Sequence, residues 1–101
     1  MPSPKTETVR GITVYTRPFC GYCTRALSVL KSRNLNVNEV DVGAEPERRA
    51  EMIERASTGK GGTTFPQIFI GQTHVGGCTD LLMLEAGGEL DDLLTDEGVN
   101  P

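Results

Sequence analysis

Ile12-Thr13-Val14-Tyr15-Thr16-Arg17-Pro18-Phe19-Cys20-Gly21-Tyr22-Cys23 is the stretch that decides the fold. Its first five residues are β-branched or aromatic, which predicts a short strand. Arg17-Pro18-Phe19-Cys20 reads as a turn. Apolar residues then recur at Cys23, Ala26, Leu27 and Leu30, the i, i+3, i+4, i+7 spacing of an amphipathic helix that ends near Arg33-Asn34. Two thiols at i and i+3 therefore stand where a strand gives way to a helix, and they can close a short disulfide with little backbone motion.

The start of a helix exposes unpaired N–H groups and a partial positive charge, which favours a thiolate at Cys20. Cys23 lies one turn further in and is expected to be less exposed and less ionised. This asymmetry makes Cys20 the attacking thiol and Cys23 the resolving one. The competing reading of paired thiols is half a zinc site. Its remaining ligands would have to be Cys78 and His74, four residues apart on a strand and turn. His74 itself reads as a surface strand residue and not as a base.

Working outward, Val37, Val40 and Val42 among Asn38, Glu39 and Asp41 predict a second, edge-like strand. Pro46, flanked by Glu45 and Glu47, suits the first turn of a second helix, with Ala50, Ile53 and Ala56 facing inward and Met52 alongside. Ser57–Thr63 is a loop with three glycines, which predicts mobility. Pro66–Ile70 predicts a third strand, opened by a proline that cannot donate in a sheet interior. Gly71-Gln72 turns it into a fourth strand through His74 and Val75. Leu81, Leu82 and Leu84 belong to a helix beginning near Leu81, and Leu90, Leu93 and Leu94 to a final acidic one. The order is β-α-β-α-β-β-α-α, an α/β domain over residues 11–95, with 1–10 as a flexible tail and 96–101 as a C-terminal tail.

A chain of 101 residues is one small domain. No run approaches the ~18 apolar residues of a membrane span, and Met1-Pro2-Ser3-Pro4-Lys5 shows no apolar secretory segment. A net charge of −4 argues against a nucleic-acid binder. Three cysteines are too few for a disulfide framework and suit a reducing cytoplasm. The net charge hides a segregation. Residues 1–33 carry six basic side chains (Lys5, Arg10, Arg17, Arg25, Lys31, Arg33) against one acid, Glu7, whereas residues 80–101 carry seven acids and no Lys or Arg. Solvated faces of separate helices account for such a pattern; the sharper reading is a basic surround for an anion near Cys20.

Gly76-Gly77-Cys78-Thr79-Asp80 precedes a helix. Paired glycines let a backbone approach a ligand, and the helix start offers N–H donors to a carboxylate; Thr79 or Asp80 as a simple helix cap is the alternative. Taken with Cys20-Gly21-Tyr22-Cys23 and Thr64-Phe65-Pro66-Gln67-Ile68-Phe69-Ile70, this turn resembles the dithiol glutaredoxins over roughly residues 11–95. The resemblance implies a thioredoxin-like fold, a four-stranded mixed sheet flanked by helices, with Pro66 cis and facing the Cys20 sulfur. It implies glutathione as co-substrate, with its cysteinyl part along Thr64, Phe65 and Pro66, and its γ-glutamyl end at Gly77, Cys78, Thr79 and Asp80. Arg17 would meet the glycyl carboxylate and Tyr22 would line the groove. The activity implied is glutathione-dependent reduction of mixed and protein disulfides by a cytoplasmic monomer.

The sequence departs from the family pattern in four places. Gly21 replaces the usual proline, a change that in relatives accompanies a 2Fe–2S cluster held by two subunits and two glutathiones. That supplies the alternative function, a cluster-bridged homodimer with Cys20 as ligand. Phe65 replaces valine, and Thr79 stands where an acid is common. The Gly59–Gly62 loop is longer, so Lys60 stands in for a displaced basic residue. Cys78 has two readings, a second redox contact or a small semi-buried residue whose backbone serves the ligand.

Overall fold

The computed structural model describes residues 11–56 and 64–99. Strand β1 (Ile12–Thr16) leads to helix α1 (Gly21–Ser32) and strand β2 (Val37–Asp41). A 3-10 turn at Pro46–Arg48 runs into α2 (Arg49–Arg55), followed by β3 (Gln67–Ile70), β4 (Thr73–Gly76), α3 (Cys78–Ala86) and α4 (Glu89–Asp96). The sheet order is β2-β1-β3-β4. β1 pairs parallel with β2 and antiparallel with β3, which pairs antiparallel with β4. This is the four-stranded mixed sheet of the thioredoxin-like fold, and β2 takes the edge its sequence predicts.

Helices cover both faces, which is why β1 is buried throughout and reads as an unbroken run. Alternation along each strand divides the core. Ile12, Val14, Ile68 and Ile70 pack with Ala26, Leu30, Leu81, Leu90 and Leu94 from α1, α3 and α4. Tyr15, Val40 and Phe69 pack with Met52 and Ala56 on the α2 side. The register that opposes Val14 to Ile68 and Ile12 to Ile70 keeps both apolar sets on their own faces.

Three sequence expectations shift. In α2 the inward residues are Met52 and Ala56, whereas Ala50 is exposed and Ile53 is 42% exposed. The chain enters as a 3-10 turn, which winds at about 120° per residue instead of about 100°, so three residues rotate the helical phase by roughly 60°. Helix α3 starts at Cys78, not near Leu81, and its N-cap is Gly77, not Thr79 or Asp80. At the C-terminus, Val99 is buried in the α1/α3/α4 core and its N–H donates to Leu94 O at 2.8 Å. Glu97 accepts the Gln72 N–H at 2.7 Å, so the packed unit runs past residue 95 to Val99. The expected 1–10 tail, the glycine loop and Lys60 lie outside the described residues. Among the described residues no helix is long and apolar enough to cross a membrane.

Candidate active site

β1 ends at Thr16 and the chain crosses Arg17-Pro18 to Phe19, which takes a left-handed φ of 57°. Cys20 follows as the N-cap of α1, with extended backbone. An N-cap side chain normally accepts an orphan N–H from the first turn. Here the acceptor is sulfur: the Cys23 N–H donates to Cys20 Sγ at 3.3 Å. The Cys20 carbonyl accepts from Thr24 N–H at 3.2 Å and Thr24 Oγ1 at 3.3 Å, which pins the cap. A donor aimed at sulfur is what an attacking or departing thiolate needs.

Both thiols are free. Cys20 is 8% exposed and Cys23 is 3% exposed, the order the sequence predicts. Burial first, then its contact with the Cys20 sulfur, pushes the Cys23 thiol up to about 12. Cys78, at the first position of α3, is also buried, and burial raises its thiol above the ordinary value. It is a protonated, weakly nucleophilic thiol at neutral pH.

Beside the dithiol lies a groove of about 210 Å³. Tyr22 contributes one wall from α1, Thr64, Phe65 and Pro66 the lead into β3, and Gly77, Cys78, Thr79 and Asp80 the β4–α3 turn. The Phe65–Pro66 peptide bond is cis. Asp80 Oδ2 accepts the Gly77 N–H at 2.9 Å, the half of a capping box that a glycine cap permits. Gly76 sits at φ +114°, and a Cβ there would stand 2.4 Å from Asp80 Oδ2, so only glycine fits. The groove gathers every residue the sequence proposed for it except Arg17. Arg17 is exposed and lines the neighbouring cleft, which holds Cys20 and Cys23.

The glutaredoxin family profile matches residues 12–75. The chain belongs to the glutaredoxin family. It is 45% identical over 84 residues to a glutaredoxin of Pseudomonas aeruginosa, covering 83% of this chain and 95% of that one. It is 52% identical to the glutaredoxin of Brucella melitensis, whose solution structure superposes with a TM-score of 0.67 over 83% of this chain and 87% of that one. A buckwheat glutaredoxin–glutathione complex, 22% identical, shares the fold with a TM-score of 0.76 over 94% and 87% of the two chains. As a glutaredoxin, the protein is a thiol–disulfide oxidoreductase.

This glutaredoxin also carries a polar link the sequence reading missed. Gln67 is fully buried, and its Nε2 donates to Thr64 O at 2.9 Å and Thr64 Oγ1 at 3.1 Å. Its Oε1 meets His74 Nε2 at 2.7 Å, and the His74 ring stacks on Phe69 at 4.7 Å. His74 is therefore a half-buried support for the groove wall and not a plain surface residue. The signal was a glutamine inside an otherwise apolar strand, which burial obliges to find partners. Arg49 of α2 stands over the Phe65 ring at 5.9 Å.

Proposed function

We propose that glutathione is the co-substrate of this glutaredoxin and that the groove beside Cys20 seats it. One observation carries the reading: the β4–α3 turn sets the N–H groups of Cys78 and Thr79, orphaned at a helix start, beside the Asp80 carboxylate. A γ-glutamyl end has a carboxylate and an amine on one carbon, and this pairing answers both charges. Thr64, Phe65 and Pro66 offer an extended edge to the cysteinyl part, Tyr22 closes the side, and Arg17 meets the glycyl carboxylate.

The Cys20 thiolate attacks the glutathionyl sulfur of a mixed disulfide, forming a Cys20–glutathione bond as the target thiolate leaves and takes a proton from water. A second glutathione thiolate attacks the bound glutathionyl sulfur, releasing glutathione disulfide and the Cys20 thiolate. With a protein disulfide, the Cys20 thiolate attacks one sulfur and the other leaves as a thiolate. Cys23 then gives up its proton and attacks the Cys20 sulfur, and the second target thiolate leaves. Two glutathiones reduce the Cys20–Cys23 bridge with release of glutathione disulfide. The targets are glutathionylated or disulfide-bearing proteins, met by a monomer in the cytoplasm.

The alternative is a 2Fe–2S cluster shared by two copies and two glutathiones. Cys20 would be this chain's ligand. Among the described residues no three His, Cys, Asp or Glu side chains are placed to hold a metal, so the chain's own residues fit no metal centre without outside ligands. Steady-state reduction of a hydroxyethyl–glutathione mixed disulfide by glutathione tests the main reading. Turnover lost in Cys20→Ser supports it; no turnover by the wild-type protein, or a brown glutathione-dependent dimer that stays inactive, overturns it.

A further inference from the structure

Two recesses lie about the active-site turn: Tyr22 lines the glutathione groove, and Cys20 itself lines the other. The other is a cleft of about 340 Å³ whose lining includes both active-site thiols, Arg17, Phe19, Leu27 and the acids Glu39 and Asp41 of β2. Phe19 stands at its rim fully exposed, at 104% of its reference area, one residue before the nucleophile. It belongs to neither apolar core. Its φ of 57° is a region an aromatic residue rarely adopts. A strained backbone that presents a large apolar ring to water gains nothing for the fold, and such outliers cluster at sites of recognition.

Phe19 takes no part in the groove that suits a tripeptide. A macromolecular target bonded to the glutathionyl sulfur under attack must also cover the ground around Cys20, and Cys20 lines the cleft. We infer that the cleft seats the protein half of the target and that Phe19 is the residue that distinguishes protein substrates from small disulfides. The occupant is a polypeptide segment with an apolar side chain next to its redox cysteine, packed against Phe19 and Leu27. This rests on the glutathione-dependent activity proposed above. The chemistry is the same exchange: Cys20 attacks the glutathionyl sulfur and the target thiolate leaves, with the cleft contributing affinity only.

The test uses the full chain and three substrates: hydroxyethyl–glutathione disulfide and two glutathionylated peptides that differ only in Leu or Ser beside the cysteine. The wild-type protein is expected to prefer the Leu peptide at least fivefold in kcat/KM. Phe19→Ala should bring that preference below twofold, with hydroxyethyl–glutathione turnover kept within twofold, and Phe19→Tyr should retain the preference. The inference is overturned if the wild type does not discriminate, if Phe19→Ala still does, or if Phe19→Ala slows all three substrates alike. Absence of wild-type turnover on the small disulfide is a different result, since it strikes the glutathione reading itself and removes the inference with it.

Discussion

The Cys23 backbone N–H donates to Cys20 Sγ at 3.3 Å, so the resolving residue supports the nucleophile through its main chain as well as meeting it with its thiol. Replacing the Cys23 side chain leaves that donor in place. Cys23→Ser is expected to keep at least half of wild-type deglutathionylation while losing protein-disulfide reduction. Cys20→Ser is expected to lose both by more than a hundredfold, because no other described thiol lines the site in a reactive state. Parallel assays on a glutathionylated peptide and a protein disulfide check this. Substantial turnover in Cys20→Ser would reverse the assignment.

Tyr15 makes a second titrating centre, within the α2-side core. Its hydroxyl donates to Glu51 and accepts from Arg55 Nη1 at 3.0 Å, while Arg48 grips Glu51 at 2.9 Å. Burial, then the Glu51 contact, pushes the phenol up to about 12. Burial pushes the Glu51 carboxyl up, but hydrogen bonds from Arg48 and Tyr15 outweigh it and hold the carboxyl below its ordinary value. A raised phenol is more readily protonated in the folded state, so its stabilising contribution is complete below pH ~10 and lost as pH climbs toward 12. Tyr22→Phe leaves Tyr15 as the sole tyrosine. Its phenolate absorbance should rise with a midpoint near 12, and Tyr15→Phe should flatten the loss of melting temperature between pH 10 and 12. An ordinary midpoint near pH 10 would contradict the geometry.

Much of this arrangement was legible because its signals are local. The β-branched run at Ile12–Thr16, the i, i+3 thiols and the glycine pair each act within a few residues, where propensity and capping decide the outcome. What stayed hidden depends on distant parts of the chain. The α2 face was misjudged because a 3-10 entry changes phase without changing composition. The role of Gln67 depends on Thr64 and His74, which come together only when β3 and β4 pair. Val99 looked like a tail because nothing near it reveals the core onto which it folds. Arg17 lines the cleft that holds Cys20, and nothing local in the sequence shows which of the two recesses it borders.

Gly76 offers a sharp test of the β4–α3 turn. Alanine there meets both the unfavourable φ of +114° and Asp80 Oδ2 at 2.4 Å. Either the backbone or Asp80 must move, and moving Asp80 breaks its bond to the Gly77 N–H. Gly76→Ala is expected to destabilise the protein by about 1–3 kcal/mol and to raise the glutathione KM more than it lowers kcat. Denaturant melts and steady-state kinetics measure the two effects. An unchanged KM in a folded Gly76→Ala protein would separate this turn from glutathione binding.

The opposed charges of the two chain ends give the last test, because Arg17 adjoins the thiols and the acids of α4 do not line either recess. Arg17 borders Cys20, whereas Asp91 lies on α4, 74% exposed in its side chain and paired with Arg33. An exposed pair of that kind contributes about 0–1 kcal/mol and is screened by salt. Arg17→Glu replaces a cation with an anion where an anionic peptide must dock, and the glutathione KM should rise about threefold to tenfold, less so at high ionic strength. Asp91→Asn together with Asp92→Asn changes the net charge by two units in the opposite direction and should leave KM within about 1.5-fold, because field at α4 is screened over about a Debye length. Effects of equal size and opposite sign from the two changes would mean that glutathione responds to the net charge of the whole molecule and that the basic N-terminal third is solvated surface. Unequal effects, with salt dependence confined to Arg17, would locate the attraction at the loop that carries the nucleophile.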